Sequence, residues 1–181
     1  ERQVLTEHEA KQLLGSWGIP TTVKWRVSTI EAALEAAEEI GYPVVLKVDS
    51  PDILHKTEAG ALETGVRDEN MLRHAYDEIM RNARQHAPSA DIVGVLVQET
   101  VIGGTEVIVG VTRDPQLGPF LLYGMGGILV EVMRDVSLRV CPIARKDAED
   151  MIEEVKGSRL LHGFRGQPRG DVSALVDTLL Q

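Results

Sequence analysis

Cysteine is almost missing from this chain. Cys141 stands alone among 181 residues, so no intramolecular disulfide can form. It sits in the strand-like run Leu138-Arg139-Val140-Cys141, as a core residue would. Positive charge is also in deficit: 19 Lys and Arg face 28 Asp and Glu, for a net charge of −9. That excludes a general nucleic-acid binder, which needs a basic face. It leaves room for a small phosphorylated ligand held by a few local cations. No apolar run is long enough to span a bilayer, and no signal peptide is visible. The default expectation is therefore a cytoplasmic protein with no membrane partner. The five histidines show no ligand spacing, so a zinc site is not supported and no metal ligand is assigned. Repeats and low-complexity tracts are absent too. Hydrophobic residues at 43% and charged residues at 26% fit an ordinary globular protein of one domain or two small lobes. The first residue is Glu rather than Met, as in a piece of something longer.

The chain opens with a capping box, Thr6-x-x-Glu9, followed by Ala10, Leu13, Leu14 and Trp17 on one side of a helix that Gly18 stops. A second box, Ser28-x-x-Glu31, introduces a helix over 30–40, closed by Gly41. A strand is expected at 43–48 and a short one at 61–66. A long amphipathic helix is expected from Asp68 to His86, with Leu72, Ala75, Ile79 and Ala83 on one face. Beyond Pro88 the pattern turns to strands: 93–99 and 106–111 around Gly103-Gly104 as a hairpin, then 119–123, then the charged run 128–141. Helices over 146–156 and 171–180 flank a Gly/Arg-rich connection. Mixed helices and hairpin-like strands predict α+β lobes rather than a doubly wound sheet.

Four groups of residues carry chemistry. Lys47 lies inside the apolar strand Pro43-Val44-Val45-Leu46-Lys47-Val48. A buried ammonium needs an anion, either a structural carboxylate or a nucleotide phosphate. The loop that follows, His55-Lys56-Thr57-Glu58-Ala59-Gly60, offers an imidazole able to carry phosphate transiently beside cations that attract it; a solvated loop histidine is the bland alternative. Gln98, Glu99 and Glu106 gather near one turn, where a carboxylate suits ribose hydroxyls and the backbone edge at Thr100-Val101 suits adenine. A solvated hairpin end explains the same pattern. Gly124-Met125-Gly126-Gly127 follows an apolar strand and allows close backbone approach to phosphate. No Gly-Lys-Ser/Thr follows it, so it is not a P-loop, and a tight strand connection serves as well.

Taken in order, these blocks resemble one family. Leu5-Thr6-Glu7-His8-Glu9-Ala10-Lys11, Gly41-Tyr42-Pro43-Val44-Val45-Leu46-Lys47, Ile53-Leu54-His55-Lys56-Thr57-Glu58-Ala59-Gly60, Gly110-Val111-Thr112-Arg113-Asp114-Pro115, Gly124-Met125-Gly126-Gly127 with Glu131 through Asp135, and Gly163-Phe164-Arg165-Gly166 are similar to the ATP-grasp domain of ADP-forming (NDP-forming) acyl-CoA synthetases, or acetate–CoA ligases. A more distant resemblance is to the β subunit of succinyl-CoA synthetase.

The resemblance implies an ATP-grasp fold of two α+β lobes: an N-terminal helix over 1–19, a first lobe over 20–92 and an incomplete second lobe over 93–181. It implies ATP or ADP with Mg2+, and the reaction acyl-CoA + ADP + phosphate ⇌ acid + CoA + ATP. Lys47 would hold the phosphates. Gln98, Glu99 and Val101 would meet the adenine and Glu106 the ribose. Gly124, Gly126 and Gly127 would line the phosphate path. His55 would relay phosphate to a CoA-binding domain or subunit, whose substrates are CoA and a small carboxylic acid.

Two departures stand out. Ala61 follows Gly60 where the family has a second glycine, and a Cβ there would crowd a phosphate. No Glu-x-Asn-Pro-like stretch is present, so magnesium ligands are expected beyond residue 181, and the isolated chain is expected to be inactive as an acid–CoA ligase. One alternative is a non-catalytic regulatory domain fused to a lysine acetyltransferase. Another is an ATP-grasp ligase working through an acyl phosphate, which needs no His55.

Overall fold

The computed structural model describes residues 4–127, 135–164, 166 and 168–181. The chain divides into two compact units, Glu1–Ile102 and Gly103–Gln181. The break falls later than the one expected after residue 92, and the reason is one strand. Residues 94–99 do not form a hairpin with 106–111. They lie in the middle of the first unit's sheet.

That unit contains α1 (Glu7–Ser16), β1 (Lys24–Val27), α2 (Ile30–Ile40), β2 (Val44–Asp49), β3 (Leu62–Val66), α3 (Glu69–His86) and β4 (Gly94–Glu99). The sheet order is β1-β4-β2-β3, with every neighbour antiparallel. Side chains alternate across a strand, so β2 presents two different faces. Val44, Leu46 and Val48 point into an apolar core with Val66, Val95 and Val97. α2 and α3 cover this face, contributing Ala33, Ala36, Ala37, Leu72, Ala75, Ile79 and Ala83. The expected stripe of α3 is the stripe that is buried. Val45, Lys47 and Asp49 point the other way, beside their cross-strand partners Gln98, Leu96 and Gly94.

Each helix starts as its sequence dictates, with one shift. Thr6 and Glu9 form the expected reciprocal box. α2 is capped by Thr29, whose hydroxyl accepts from the Ala32 N–H, not by Ser28. Asp68 caps α3 through Met71 N–H. α1 departs from its amphipathic reading. None of its residues is buried, and Leu13, Leu14 and Trp17 are exposed. The helix is held by its polar side chains.

The second unit contains β5 (Val107–Asp114), β6 (Gly118–Met125), β7 (Val136–Val140), α4 (Arg145–Glu154), a 3-10 turn (Lys156–Leu160) and α5 (Val172–Leu180). Its antiparallel sheet runs β5-β6-β7. Leu121, Tyr123 and Met125 of β6 pack against Ala148, Met151 and Ile152 of α4 and Val176 and Leu179 of α5. Glu131, Arg134 and Arg165 lie outside the described residues. Helices beside antiparallel sheets in both units match the α+β expectation.

Candidate functional site

The outward face of β2 carries the site. Lys47 points away from the core because Leu46 and Val48 on either side of it are needed there. Its ammonium donates to Glu7 Oε1 at 3.0 Å. The expected need for an anion is thus met, in this structure, by a carboxylate from α1. Glu7 is not its private partner. Lys11 Nζ lies 3.0 Å from the same oxygen, and Lys56 Nζ lies 3.8 Å from Oε2. Lys11 also donates to Gln98 Oε1 at 2.8 Å and to Thr22 Oγ1 at 3.0 Å. One chain of polar contacts therefore runs from the loop lysine through Glu7 to Gln98. Burial alone would push the Glu7 carboxyl up. Hydrogen bonds from Lys11 and Lys47, and their charges, outweigh it and hold the group below its ordinary value of 4.5.

Beside this cluster lies an open pocket of about 410 Å³ lined by Glu7, Lys47, His55, Lys56, Thr57 and Leu62, among others. Lys47 and His55, read separately in the sequence, thus line one pocket. His55 is exposed on a turn in which its carbonyl accepts from Ala59 N–H at 3.1 Å. The loop is pinned at its ends: Ile53 and Ala59 sink into the apolar core, while Leu54 stays 58% exposed. Asn82 of α3 donates to the Gly60 carbonyl at 3.1 Å. Gly60 adopts φ +59°, and a Cβ there would come within 2.9 Å of Asn82 Nδ2. Ala61 causes none of the crowding its sequence position suggested. It is fully buried in the core cluster behind the sheet and does not line the pocket.

The other expected site residues fall as follows. Gln98 is 6% exposed and lies on the Lys47 face. The Glu99 carboxylate accepts from the Val23 N–H at 2.7 Å and so ties the edge of β4 to the segment before β1. Val101 is exposed. In the second unit, the Glu106 carbonyl accepts from Gly126 N–H at 2.7 Å. A Cβ on Gly126 would meet Glu106 Cβ at 2.9 Å, and one on Gly127 would meet Glu106 Oε2 at 2.7 Å. A Cβ on Gly124 would strike Val136 Cγ1 at 2.8 Å. Close packing of the chain on itself thus already requires glycine at 124 and 126, while at 127 the Glu106 side chain can move and the left-handed φ of +59° favours glycine.

Sequence reasoning missed Glu7 and Lys11 as members of the site. Their i, i+4 spacing reads as an ordinary helix-surface pair. Only the fold shows that they lie over Lys47.

An ATP-grasp domain model matches residues 1–181. The chain belongs to the ATP-grasp family. It is 44% identical over 180 residues to the β subunit of acetate–CoA ligase (ADP-forming) II from Pyrococcus furiosus, covering 99% of this chain and 76% of that subunit. It is 46% identical over 173 residues to acetate–CoA ligase (ADP-forming) I from Archaeoglobus fulgidus, covering 96% of this chain but 25% of that longer protein. Among solved structures it matches the dinucleotide forming acetyl-coenzyme A synthetase 1 of Ca. Korarchaeum cryptofilum. The TM-score is 0.93 at 46% identity, covering 97% of this chain and 77% of that one. That structure is a complex with coenzyme A and Ca-AMPCP. Another of the same protein holds Mg-AMPPCP and is described as having its phosphohistidine segment pointing towards the nucleotide binding site.

This ATP-grasp domain is therefore of the kind found in ADP-forming acetate–CoA ligases, and the regulatory alternative is not favoured. The Lys47 and Lys56 ammoniums, both lining the pocket, have the charge that the phosphates of the ATP or ADP bound by such domains call for. Magnesium accompanies the nucleotide in the family. Among the described residues no group of three or more His, Cys, Asp or Glu is placed to hold it, so none is assigned to it. No helix among the described residues is long and apolar enough to cross a membrane.

Proposed function

We propose that this domain binds ATP or ADP and passes the terminal phosphoryl group to His55, as the nucleotide half of an ADP-forming acyl-CoA synthetase. The observation that carries the reading is the shared pocket: Lys47 on a rigid central strand and His55 on a loop line one cavity. Lys47 and Lys56 neutralise the phosphate oxygens as charge develops. A neutral imidazole nitrogen of His55 attacks the γ-phosphorus, forming an N–P bond as the bond to the bridging oxygen breaks. ADP leaves with that electron pair, and the other ring nitrogen releases its proton to water. In the synthesis direction each step runs backwards and ATP is made.

Gln98, Glu99 and Val101 are assigned to the adenine and Glu106 to the ribose. Gly124, Gly126 and Gly127 are assigned to the phosphate path. These assignments rest on the family resemblance. Magnesium supplies charge neutralisation when bound. The partner is a CoA-binding domain or subunit, and the acid is a small carboxylic acid. The compartment is the cytoplasm.

The test is turnover in the whole protein with its CoA-binding partner. Exchange of His55 for Asn should abolish formation of ATP from acyl-CoA, ADP and phosphate while ADP affinity stays within about threefold, since Lys47 remains. Undiminished turnover in that variant would refute the relay.

A further inference from the structure

Lys56 differs from its neighbours at the tip of the loop. Leu54, His55, Thr57 and Glu58 around it are exposed, whereas the Lys56 side chain is 16% exposed and folds inward to Glu7. Glu7 divides its two oxygens. Oε1 takes Lys47 and Lys11 at 3.0 Å, and Oε2 takes Lys56 at 3.8 Å. The first two contacts are hydrogen-bond distances; the third is an ion pair beyond hydrogen-bond reach. A single carboxylate thus ties the loop that carries His55 to the strand that carries Lys47. The loop side is the weaker.

We propose that Glu7 is a latch, a positioning residue that holds the His55 loop over the nucleotide lysine through Lys56. The inference rests on the relay proposed above. It adds a task that the relay needs: the imidazole must be presented to the phosphorus at attacking distance, and misplacement by an ångström is costly in rate. Glu7 touches neither the reacting nitrogen nor the phosphorus. It acts by fixing Lys56, and therefore the residue next to it. The Glu7–Lys56 contact persists while the terminal phosphate binds Lys47 beside it. The loop is freed once His55 carries its charge away. α1 suits this task because none of its residues is buried, and Glu7 meets the amines of Lys11, Lys47 and Lys56 together.

The experiment is a double-mutant cycle in the whole protein at saturating ATP and Mg2+, with the rate of phosphohistidine formation at His55 as readout. Glu7→Gln keeps the size of the side chain and removes its charge; Lys56→Met removes the loop's cation. Each should slow phosphorylation by about tenfold, as expected for coupled contacting charges, and the double variant should be no slower than the slower single. Glu7→Asp, which keeps the charge, should restore most of the rate. Losses that multiply in the double variant would overturn the latch, as would a wild-type rate in either single. Should Glu7→Gln fold poorly, Glu7→Met takes its place in the same cycle with Lys56→Met. A wild-type protein that takes no label at all overturns the relay itself, and the latch with it. A labelled wild type with an unaffected Glu7→Gln variant overturns the latch alone.

Discussion

Replacing Lys47 by Met keeps the aliphatic stem and removes the ammonium, which separates its two roles. Without nucleotide, the variant deprives Glu7 of one of three cations. Lys11 remains at 3.0 Å and Lys56 at 3.8 Å, so the carboxylate is not stranded. Both partners of the lost pair are 21% exposed, which places its contribution near the upper end for solvent-accessible ion pairs, about 1 kcal/mol. For a chain of this size that lowers Tm by about 2–4 °C. With nucleotide bound, the loss is larger. A charge-assisted hydrogen bond contributes about 1.5–3 kcal/mol, or roughly 10- to 150-fold in Kd. Wild-type Lys47 must first leave Glu7, which offsets part of that gain, so the lower part of the range is expected, about 10- to 30-fold. Calorimetric titration with ADP and Mg2+, alongside a melting curve of each protein, measures both. Equal affinities would refute the assignment of Lys47 to the phosphates. A fall in Tm beyond about 10 °C would show that its pairing with Glu7 is chiefly structural.

Three further outcomes follow from named contacts. Ala61→Gly should destabilise by about 1–2 kcal/mol, from a lost buried methyl and a freer backbone, without tightening ADP binding, because Ala61 faces the core; tighter binding in titration would place it near phosphate after all. Gly60→Ala forces a Cβ into left-handed backbone beside Asn82 and should cost about 1–2 kcal/mol in chemical denaturation; a neutral result would contradict the turn geometry. Glu7→Gln should lose stability in a pH-dependent way. The folded-state pKa of Glu7 lies below its ordinary 4.5, so its contribution is fully present above that value and disappears as pH falls through the folded pKa. The gap between wild-type and variant Tm should therefore close in acid, and a gap that widens there would contradict the pairing.

The fold was legible where local pattern and tertiary packing agree. The α3 stripe follows the helical period and is buried as that period requires, and the apolar run around Lys47 is the largely buried strand it reads as. β1 was not legible. Lys24-Trp25-Arg26-Val27 is short and half charged, and it is a strand only because β4 offers it an edge. The hairpin between 93–99 and 106–111 failed for a related reason. Gly103-Gly104 looks like a turn locally, but nothing local shows that β4 pairs with β1 and β2 instead. At the site, Lys47 and His55 announced themselves by chemistry in unusual surroundings. Glu7 could not, because its partner Lys47 is 40 residues away in sequence. Its neighbour Glu9 already accounted for an acidic helix start by capping.

The central claim is that His55 receives the phosphoryl group in the pocket it shares with Lys47. The most direct measurement is site mapping by mass spectrometry, under alkaline conditions that preserve phosphohistidine, after the whole protein is incubated with ATP and Mg2+. The account predicts one acid-labile phosphate on the peptide containing His55, and none when His55 is replaced by Asn. Phosphate on another residue of this domain, or label that persists in the His55→Asn protein, would contradict it.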